Sequence, residues 1–221
     1  MSLRVKPGGK VCVVVPAAAR GNVRENAEMF VLKNLDWLEA NVGKMEKLAP
    51  AAGETLSEYL RKNPKIFIGD TAKTVEISIA PTRAFFVLRE NSDVLPIGVR
   101  ADFAESDLAS AMRKIAATTL PPRVSELAEK CGVSVKKISI RNQRSRWGSC
   151  TVGGALSINW RLVLLPPELR DHVILHELAH RIHMNHSDDF WDLLYRLDPQ
   201  TRAHDSALTK TWSKIMVLLP Q

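Results

Sequence analysis

Cysteines are few in this sequence, and it has no apolar run long enough to cross a membrane. The three cysteines, Cys12, Cys131 and Cys150, are an odd and widely spaced set, which argues against a disulfide framework and against a CxxC metal site. A membrane helix needs about 20 successive apolar residues, and a secretion signal needs a basic start followed by an apolar segment. The sequence shows neither pattern, so we expect a cytoplasmic protein with free thiols and no membrane contact.

Acidic residues are missing from one long segment. Between Lys130 and Pro167 there is none, although the chain has 24 in total, against 31 Lys and Arg. The segment holds seven basic residues, namely Lys130, Lys136, Lys137, Arg141, Arg144, Arg146 and Arg161. Such a stretch is either a solvated face or a surface that attracts phosphates. We expect the solvated face, and we keep Arg141, Arg144 and Arg146 as candidate anion-binding residues.

Composition and hydrophobic pattern predict a folded α+β protein. With 45% hydrophobic and 25% charged residues, the 221-residue chain has the averages of a globular protein, and we expect one domain over 1–221. Residues 1–100 form a predicted strand-rich lobe and 101–221 a helical one. The predicted strands of the first lobe are 11–15, which we expect to be buried, 65–68, 74–79, 84–88 and 94–99, with an amphipathic helix over 23–41 and a helical turn at 56–60.

The second lobe is predicted to contain helices around one hairpin. Periodic apolar residues predict two helices, one on each side of Pro121 and Pro122. Strands over 137–142 and 155–163 follow, joined as a long hairpin by the polar segment 143–154. Further helices are predicted over 167–183, 188–197 and 200–218, and the first of them is expected to be central and buried.

Residues 176–180 read HELAH, an HExxH motif on that central helix. Residues four apart on a helix project from one face, so His176 and His180 can reach one ion. A catalytic zinc site keeps three protein ligands and one position for water. Glu177 lies one position off this stripe, where it can take a proton from water that the metal activates. The motif therefore predicts a zinc hydrolase with Glu177 as general base.

Two histidines are candidates for the third ligand. His183 continues the stripe but lies seven residues from His176, an axial rise of about 10.5 Å, which is awkward for ligands that converge on one ion. His186 fits better if the helix ends near His183 and the chain reverses with Asn185 in a left-handed conformation. We expect zinc on His176, His180 and His186, with His183 as a supporting or substrate-facing residue.

A chance HExxH is the alternative, and it arises in about one chain in a hundred of this length. A chance match would rarely lie on a buried helix with another histidine at a workable distance. Buried ionisable groups are also costly unless they serve a purpose. The pattern therefore favours a metal site over ordinary core or surface histidines.

At this point the sequence resembles the YgjP-like metal-dependent hydrolases, relatives of the WLM and SprT groups among zincin-like metallopeptidases. The resemblance lies in four segments: RSRWGSC at 144–150, INWRLVLLPPEL at 158–169, HELAH at 176–180 and NHSDDFW at 185–191. It implies a zincin-like core, one Zn²⁺ on the three histidines and Glu177 as base. The spacing also resembles that of the metzincins, but His183 stands where those enzymes have glycine, which favours the YgjP-like family.

Several residues outside the motif are candidates for supporting roles. Trp147 is expected to be a buried anchor for the RSRWGSC loop. Asn159 and Arg161 either face the substrate cleft or serve as strand-pairing partners. Tyr195 and His204 are candidates for stabilising the oxyanion, a role that the motif leaves unfilled.

Three functions remain open. The favoured one is a metallopeptidase whose peptide or protein substrate adds to the edge strand of the hairpin. The second is a metal-dependent phosphohydrolase acting on nucleotides, which the basic segment would attract. The third is a DNA-associated protease of the SprT-like type, with the three arginines on backbone phosphates. A purely structural zinc site is disfavoured because it has no use for Glu177.

Overall fold

A computed structural model describes residues 2–5, 11–15, 22–35, 38 and 54–218. The chain divides into two compact units, residues 1–53 and 54–221. Both helices and strands are present, which confirms the predicted α+β class. The organisation of 1–221 as one domain with lobes 1–100 and 101–221 stays a prediction. In the described part of the chain, no helix has the length and hydropathy needed to span a membrane.

The first unit contains a two-stranded antiparallel sheet and one helix. Its described elements are β1 (Ser2–Val5), β2 (Val11–Val14) and α1 (Val23–Leu32). Val11 is 38% exposed, so the prediction of a buried strand here is wrong. The helix begins at Asn22, whose side chain accepts the backbone N–H of Glu25 at 3.3 Å as an N-cap. Most of the predicted helix beyond residue 32 lies outside the described residues.

The second unit begins with a short helix and a four-stranded sheet. The elements are α2 (Leu56–Lys62), β3 (Lys65–Ile68), β4 (Thr71–Ile79), β5 (Phe85–Phe86) and β6 (Val94–Val99). The strand order is β3-β4-β6-β5, with β4 and β6 parallel. The strand predicted over 84–88 is only two residues long, Phe85 and Phe86, and the Phe85 ring lies over Gly98 of β6.

A single helix, α3 (Ala104–Lys130), replaces the two helices predicted around Pro121 and Pro122. A proline inside a helix removes a hydrogen-bond donor and costs about 3 kcal/mol. Apolar residues of α3 are buried both before and after the prolines, and each buried Leu or Ile contributes about 2 kcal/mol. They include Leu108, Met112, Ile115, Leu120, Val124 and Leu127. The prediction of two helices is wrong because the packing of both halves outweighs the local break.

The hairpin predicted after α3 is a three-stranded mixed sheet. Its strands are β7 (Lys137–Arg141), β8 (Gly148–Cys150) and β9 (Ala155–Asn159), in the order β7-β9-β8. β7 is parallel to β9, and β8 is antiparallel to it. The hairpin prediction is wrong because the segment between β7 and β9 contains β8, which lies on the other side of β9 from β7. β7 and β9 therefore pair in parallel rather than as a hairpin. The last part of the strand predicted over 155–163 is a 3-10 turn, Trp160–Leu164. β8 is therefore an edge strand.

Three helices complete the second unit, namely α4 (Pro167–Ala179), α5 (Asp188–Leu197) and α6 (Thr201–Ile215). α4 ends four residues earlier than predicted, and its last carbonyls accept the N–H groups of Arg181 and Ile182. No described residue other than glycine has a positive φ. The left-handed conformation predicted for Asn185 is therefore wrong, because the earlier end leaves the chain more residues in which to reverse.

Candidate metal centre

Three imidazoles converge at the end of α4. His176 lies in the last turn of the helix, His180 follows its last residue, and His186 lies just before α5. Their candidate ligand atoms lie within 4.8 Å of one another, and His176 Nε2 is 3.1 Å from His186 Nε2. Bonds of about 2.05 Å to a tetrahedral zinc would place ligand atoms roughly 3.3 Å apart. The three side chains therefore fit an ion of this size with little adjustment.

The orientation of His180 is fixed by a backbone contact. His180 Nδ1 lies 3.0 Å from the carbonyl oxygen of His183. Because a carbonyl only accepts, Nδ1 carries the proton and Nε2 keeps its lone pair for a metal. His183 thus takes a supporting place through its main chain, whereas its ring is partly exposed.

A buried phenylalanine underlies all three imidazoles. Phe190, on the first turn of α5, is fully buried. Its ring centroid lies 5.0 Å from that of His176, 4.7 Å from His180 and 4.6 Å from His186. Trp191 adds a second aromatic surface 5.7 Å from the His186 ring. These contacts limit the rotation of the rings, so the ligand geometry is largely set before an ion binds.

Burial favours the neutral form of two of the imidazoles, those of His176 and His186. Desolvation, followed by the nearby His180 and His186, lowers the pKa of His176 to about 3. Burial and then His180 also lower the pKa of His186, against an opposing effect of Asp205. Neutral imidazole is the form that binds transition metals. The donor set therefore suits a divalent ion at neutral pH.

The side chain of Glu177, a residue of α4, lies against the edge strand β8. Its side chain is only 7% exposed, and burial raises its pKa to about 7, although the charge of Arg146 acts in the opposite direction. The backbone of Gly148 lies directly against it, since a Cβ at that position would come within 2.7 Å of Glu177 Oε1. Only glycine allows this approach, which places the carboxylate beside the open edge of the sheet.

The free edge of β8 offers unpaired backbone groups next to Glu177. Trp147 and Thr151 bond to β9, through Asn159 N to Trp147 O at 2.8 Å and Thr151 N to Ala155 O at 3.0 Å. In an antiparallel ladder the residues between such pairs point their N–H and C=O groups away from the partner strand. Gly148 and Cys150 therefore direct their peptide groups outward, where an extended chain can pair with them.

The sequence matches the YgjP-like metallopeptidase domain over residues 1–211. The chain belongs to the YgjP-like family. It is accordingly a metal-dependent peptidase, and the family implies a divalent metal and a peptide substrate. The resemblance inferred from the four sequence segments is confirmed.

Comparisons of this YgjP-like domain with curated proteins and with solved structures gave different results. No curated protein matches the chain. Among solved structures, the metallopeptidase zymogen abylysin of Pyrococcus abyssi is 20% identical over 39% of this chain and 90% of its own, with a TM-score of 0.36.

A second histidine cluster lies one turn earlier on α4 of the YgjP-like domain. His172 is 1% exposed, and its Nδ1 lies 2.5 Å from Asp198 Oδ2 while its Nε2 lies 3.1 Å from Asp205 Oδ1. His204 Nδ1 contacts the same Asp198 oxygen at 2.7 Å. Burial raises the pKa of Asp198, but the bonds from His204 and His172 outweigh it and the pKa is lowered. This cluster links α4 to the turn before α6 and to α6 itself.

The candidates for substrate contact have other contacts in the structure. Asn159 and Arg161 are buried, and Asn159 Nδ2 donates to the carbonyls of Gln143 at 2.8 Å and Arg146 at 3.0 Å. A cleft-facing role for either residue is therefore wrong, and Asn159 pairs within the sheet and holds the RSRWGSC loop. Tyr195 accepts from Arg202 Nε at 3.0 Å. His204 belongs to the second cluster, so the structure joins neither oxyanion candidate to the three imidazoles.

Trp147 is the buried anchor that the sequence predicts. It is 9% exposed and packs edge-on against Trp212 of α6, with ring centroids 5.3 Å apart. Arg181 provides a second tie to the same region, donating to Ser134 O at 3.1 Å and to Val152 O at 3.0 Å. Together these contacts hold β8 beside the end of α4.

The three candidate anion-binding arginines are exposed, and each has different neighbours. The charge of Arg146 acts on Glu177, that of Arg144 acts on the buried Arg161, and Arg141 lines a groove against α3.

Sequence analysis missed the place of Phe190 beneath the ligands and the contact of Gly148 with Glu177. The NHSDDFW and RSRWGSC segments signalled both, since a bulky aromatic follows the third histidine and a glycine lies within a polar loop.

Proposed function

We propose that this YgjP-like domain is a zinc-dependent peptidase with His176, His180 and His186 as ligands and Glu177 as general base. The observation that supports it most is the convergence of three imidazoles next to a buried carboxylate that lies against the edge strand β8. Three nitrogen ligands leave a fourth zinc position for water, which is the arrangement of catalytic rather than structural zinc sites.

The chain's own residues would perform the proton transfers. A zinc ion bound by the imidazoles would polarise the scissile carbonyl and activate a water molecule. The Glu177 carboxylate accepts the proton of that water and then donates it to the leaving amine. A buried carboxyl group with a pKa of about 7 can do both near neutral pH, since it is present in both protonation states.

The substrate would bind as an added strand. The outward N–H and C=O groups of Gly148 and Cys150 can pair with the backbone of an extended peptide. Because Gly148 touches Glu177, a peptide bond paired here lies within reach of the base. Pairing through the main chain selects for an extended backbone rather than for a particular side chain.

The nucleotide phosphohydrolase receives less support from the structure. Such chemistry needs several cations around the group that is transferred. Of the three candidate arginines, only Arg146 acts on Glu177, and Arg141 lies in a separate groove. Peptide hydrolysis is therefore the activity that the centre supports best.

Elemental analysis combined with a peptide screen tests the proposal. We expect one zinc per chain after dialysis, loss of that zinc in His186→Ala, and zinc-dependent cleavage of unfolded polypeptides or a peptide library. His183→Ala is the matched control. His183 contacts His180 through its main-chain carbonyl, which the substitution keeps, so this variant should keep the zinc. Absence of stoichiometric metal after zinc is added back, or equal retention in His186→Ala, would refute the assignment.

A further inference from the structure

A basic groove lies between α3 and the end of β7, and the peptidase chemistry has no use for it. The groove has a volume of about 310 Å³. It is lined by Ser110, Arg113, Lys114, Ala117, Ile140, Arg141 and Asn142. Three of these residues are cationic, and none is acidic. The first four lie at positions i, i+3, i+4 and i+7 of α3, so they form one face of the helix.

The cations of the groove are not neutralised within the described structure. Arg113, Lys114 and Arg141 are exposed and form no ion pair with any described residue. Elsewhere on the same helix, Arg123 contacts both Asp171 and Glu126. The contrast shows that α3 has paired arginines where a carboxylate is available and an acid-free face at the groove.

A buried arginine behind the groove adds to the positive charge. Arg161 is 1% exposed, and its described hydrogen bonds go to neutral oxygens, including Ile215 O at 3.1 Å and Asn142 Oδ1 at 2.8 Å. Burial, and then the charges of Arg144 and Arg113, lower the pKa of Arg161 to about 10. A buried cation without a carboxylate partner is costly, and an anion nearby would relieve the repulsion.

Asn142 connects this buried cation to the groove and presents a neutral donor. Its Oδ1 accepts from Arg161 Nη1 at 2.8 Å and from Trp160 Nε1 at 3.1 Å. Because both partners only donate, the amide orientation is determined, and Nδ2 points away from them. Nδ2 forms no hydrogen bond with the residues that the structure describes. Because Asn142 also lines the groove, its amide N–H groups are available to a ligand there.

We propose that this groove binds a phosphate-type oxyanion, held by Arg113, Lys114 and Arg141 with Asn142 Nδ2 as an additional donor. Guanidinium and ammonium groups with an amide donor are the usual partners of phosphate oxygens. The three cationic side chains are exposed to solvent, so the anion is either a free phosphate compound or a phosphate of a nucleic-acid backbone.

Binding of two probes to matched variants tests the groove. The probes are inorganic phosphate, by calorimetry, and a fluorescein-labelled single-stranded 20-mer, by anisotropy at 50 and 200 mM KCl. We expect Arg113→Gln/Lys114→Gln/Arg141→Gln to weaken binding at least tenfold and to reduce the salt dependence by about two in log–log slope. The control Arg89→Gln/Arg196→Gln/Lys210→Gln removes the same charge from exposed positions elsewhere and should change binding less than twofold.

The two sources of the anion separate in the same experiment. A 20-mer that binds at least tenfold more tightly than phosphate indicates a nucleic-acid backbone, and equal affinities indicate a free phosphate compound. Equal weakening in the groove and control variants, or no binding of either probe in wild type at 50 mM KCl, would overturn the proposal.

One further variant separates anion binding from structural support. Asn142→Asp keeps an acceptor for Arg161 and Trp160 but replaces the outward donor with a carboxylate oxygen. We expect it to raise the melting temperature, because Arg161 gains a charged partner, and to weaken binding of both probes at least tenfold. Unchanged binding in this variant would remove Asn142 from the site.

Discussion

Two histidine clusters lie one turn apart on α4, and their surroundings differ in kind. His172 and His204 face the carboxylates of Asp198 and Asp205, so the nitrogens that contact them are already satisfied. His172 Nδ1 and His204 Nδ1 lie 2.5 and 2.7 Å from the same oxygen of Asp198. Two ligand atoms on a tetrahedral zinc are roughly 3.3 Å apart, so these shorter distances are those of hydrogen bonds. In the other cluster, His176 Nε2 and His186 Nε2 lie 3.1 Å apart, and neither bonds to a carboxylate of the described residues.

This difference shows how the same side chain serves two purposes. An imidazole that lies between carboxylates forms hydrogen bonds to them and ties helices together. An imidazole that lies among other imidazoles, above a buried phenylalanine, has nitrogen atoms that can bind an ion. The four predictions below test that distinction, in order of decreasing effect.

The largest effect is expected for Glu177→Gln, which keeps the shape of the side chain but cannot accept a proton. Turnover should fall by about 10²- to 10⁴-fold, and zinc content should stay unchanged. Rates on a fluorogenic peptide, together with elemental analysis, measure both quantities. Glu168→Gln, an exposed residue in the first turn of α4, is the control and should keep full activity.

His172→Ala should destabilise the protein by about 3 kcal/mol, because it removes the most deeply buried partner of the Asp198 carboxylate and leaves it with the more exposed His204. Urea unfolding measures the loss. Zinc should still raise the melting temperature of this variant, because the ligands are intact. If His172→Ala instead abolishes the zinc effect in a folded protein, the two clusters are not separate in function.

Gly148→Ala tests the close approach at the edge strand. A methyl group there would displace Glu177 Oε1, and a shift of about 1 Å should reduce turnover roughly 10²-fold. Zinc content should not change. Gly153→Ala is the matched control in the same loop region, since the nearest atom to its Cβ would be Thr151 Oγ1 at 3.9 Å. Equal rates in the two variants would argue against a role for this contact.

The smallest effect concerns acid stability at the second cluster. The pKa of Asp198 is lowered in the folded state, so its stabilisation is present above the unfolded pKa of about 3.9 and is lost as the pH falls through the lower folded value. The stability difference between wild type and Asp198→Asn should therefore be present in full at pH 5. It should narrow below about pH 4 in urea titrations at each pH.

Local patterns predicted much of the second unit from the sequence. The strands 65–68 and 94–99 and the helix 188–197 match β3, β6 and α5, because each has a clear period and punctuation at both ends. The HExxH spacing also indicated which imidazoles would meet. The prolines of α3 misled, because the burial that overrides them comes from distant residues.

Strand pairing and side-chain contacts between residues far apart in the sequence could not be predicted in the same way. The crossover that makes β7 parallel to β9 comes with Asn159 side-chain bonds to Gln143 and Arg146, 16 and 13 residues away. The partners of His172 come from 26 and 33 residues away. Periodicity is local, so it carries no information about such contacts.

The three-residue length of β8 also bears on self-association. An open strand edge can pair with any extended chain, including a second copy of the same protein, and this is a common route to aggregation. A strand of three residues supplies too few bonds to hold such a partner on its own. A chain would then stay on β8 only when a second feature also holds it. Lengthening β8 by even a few residues would trade selectivity for a tendency to aggregate.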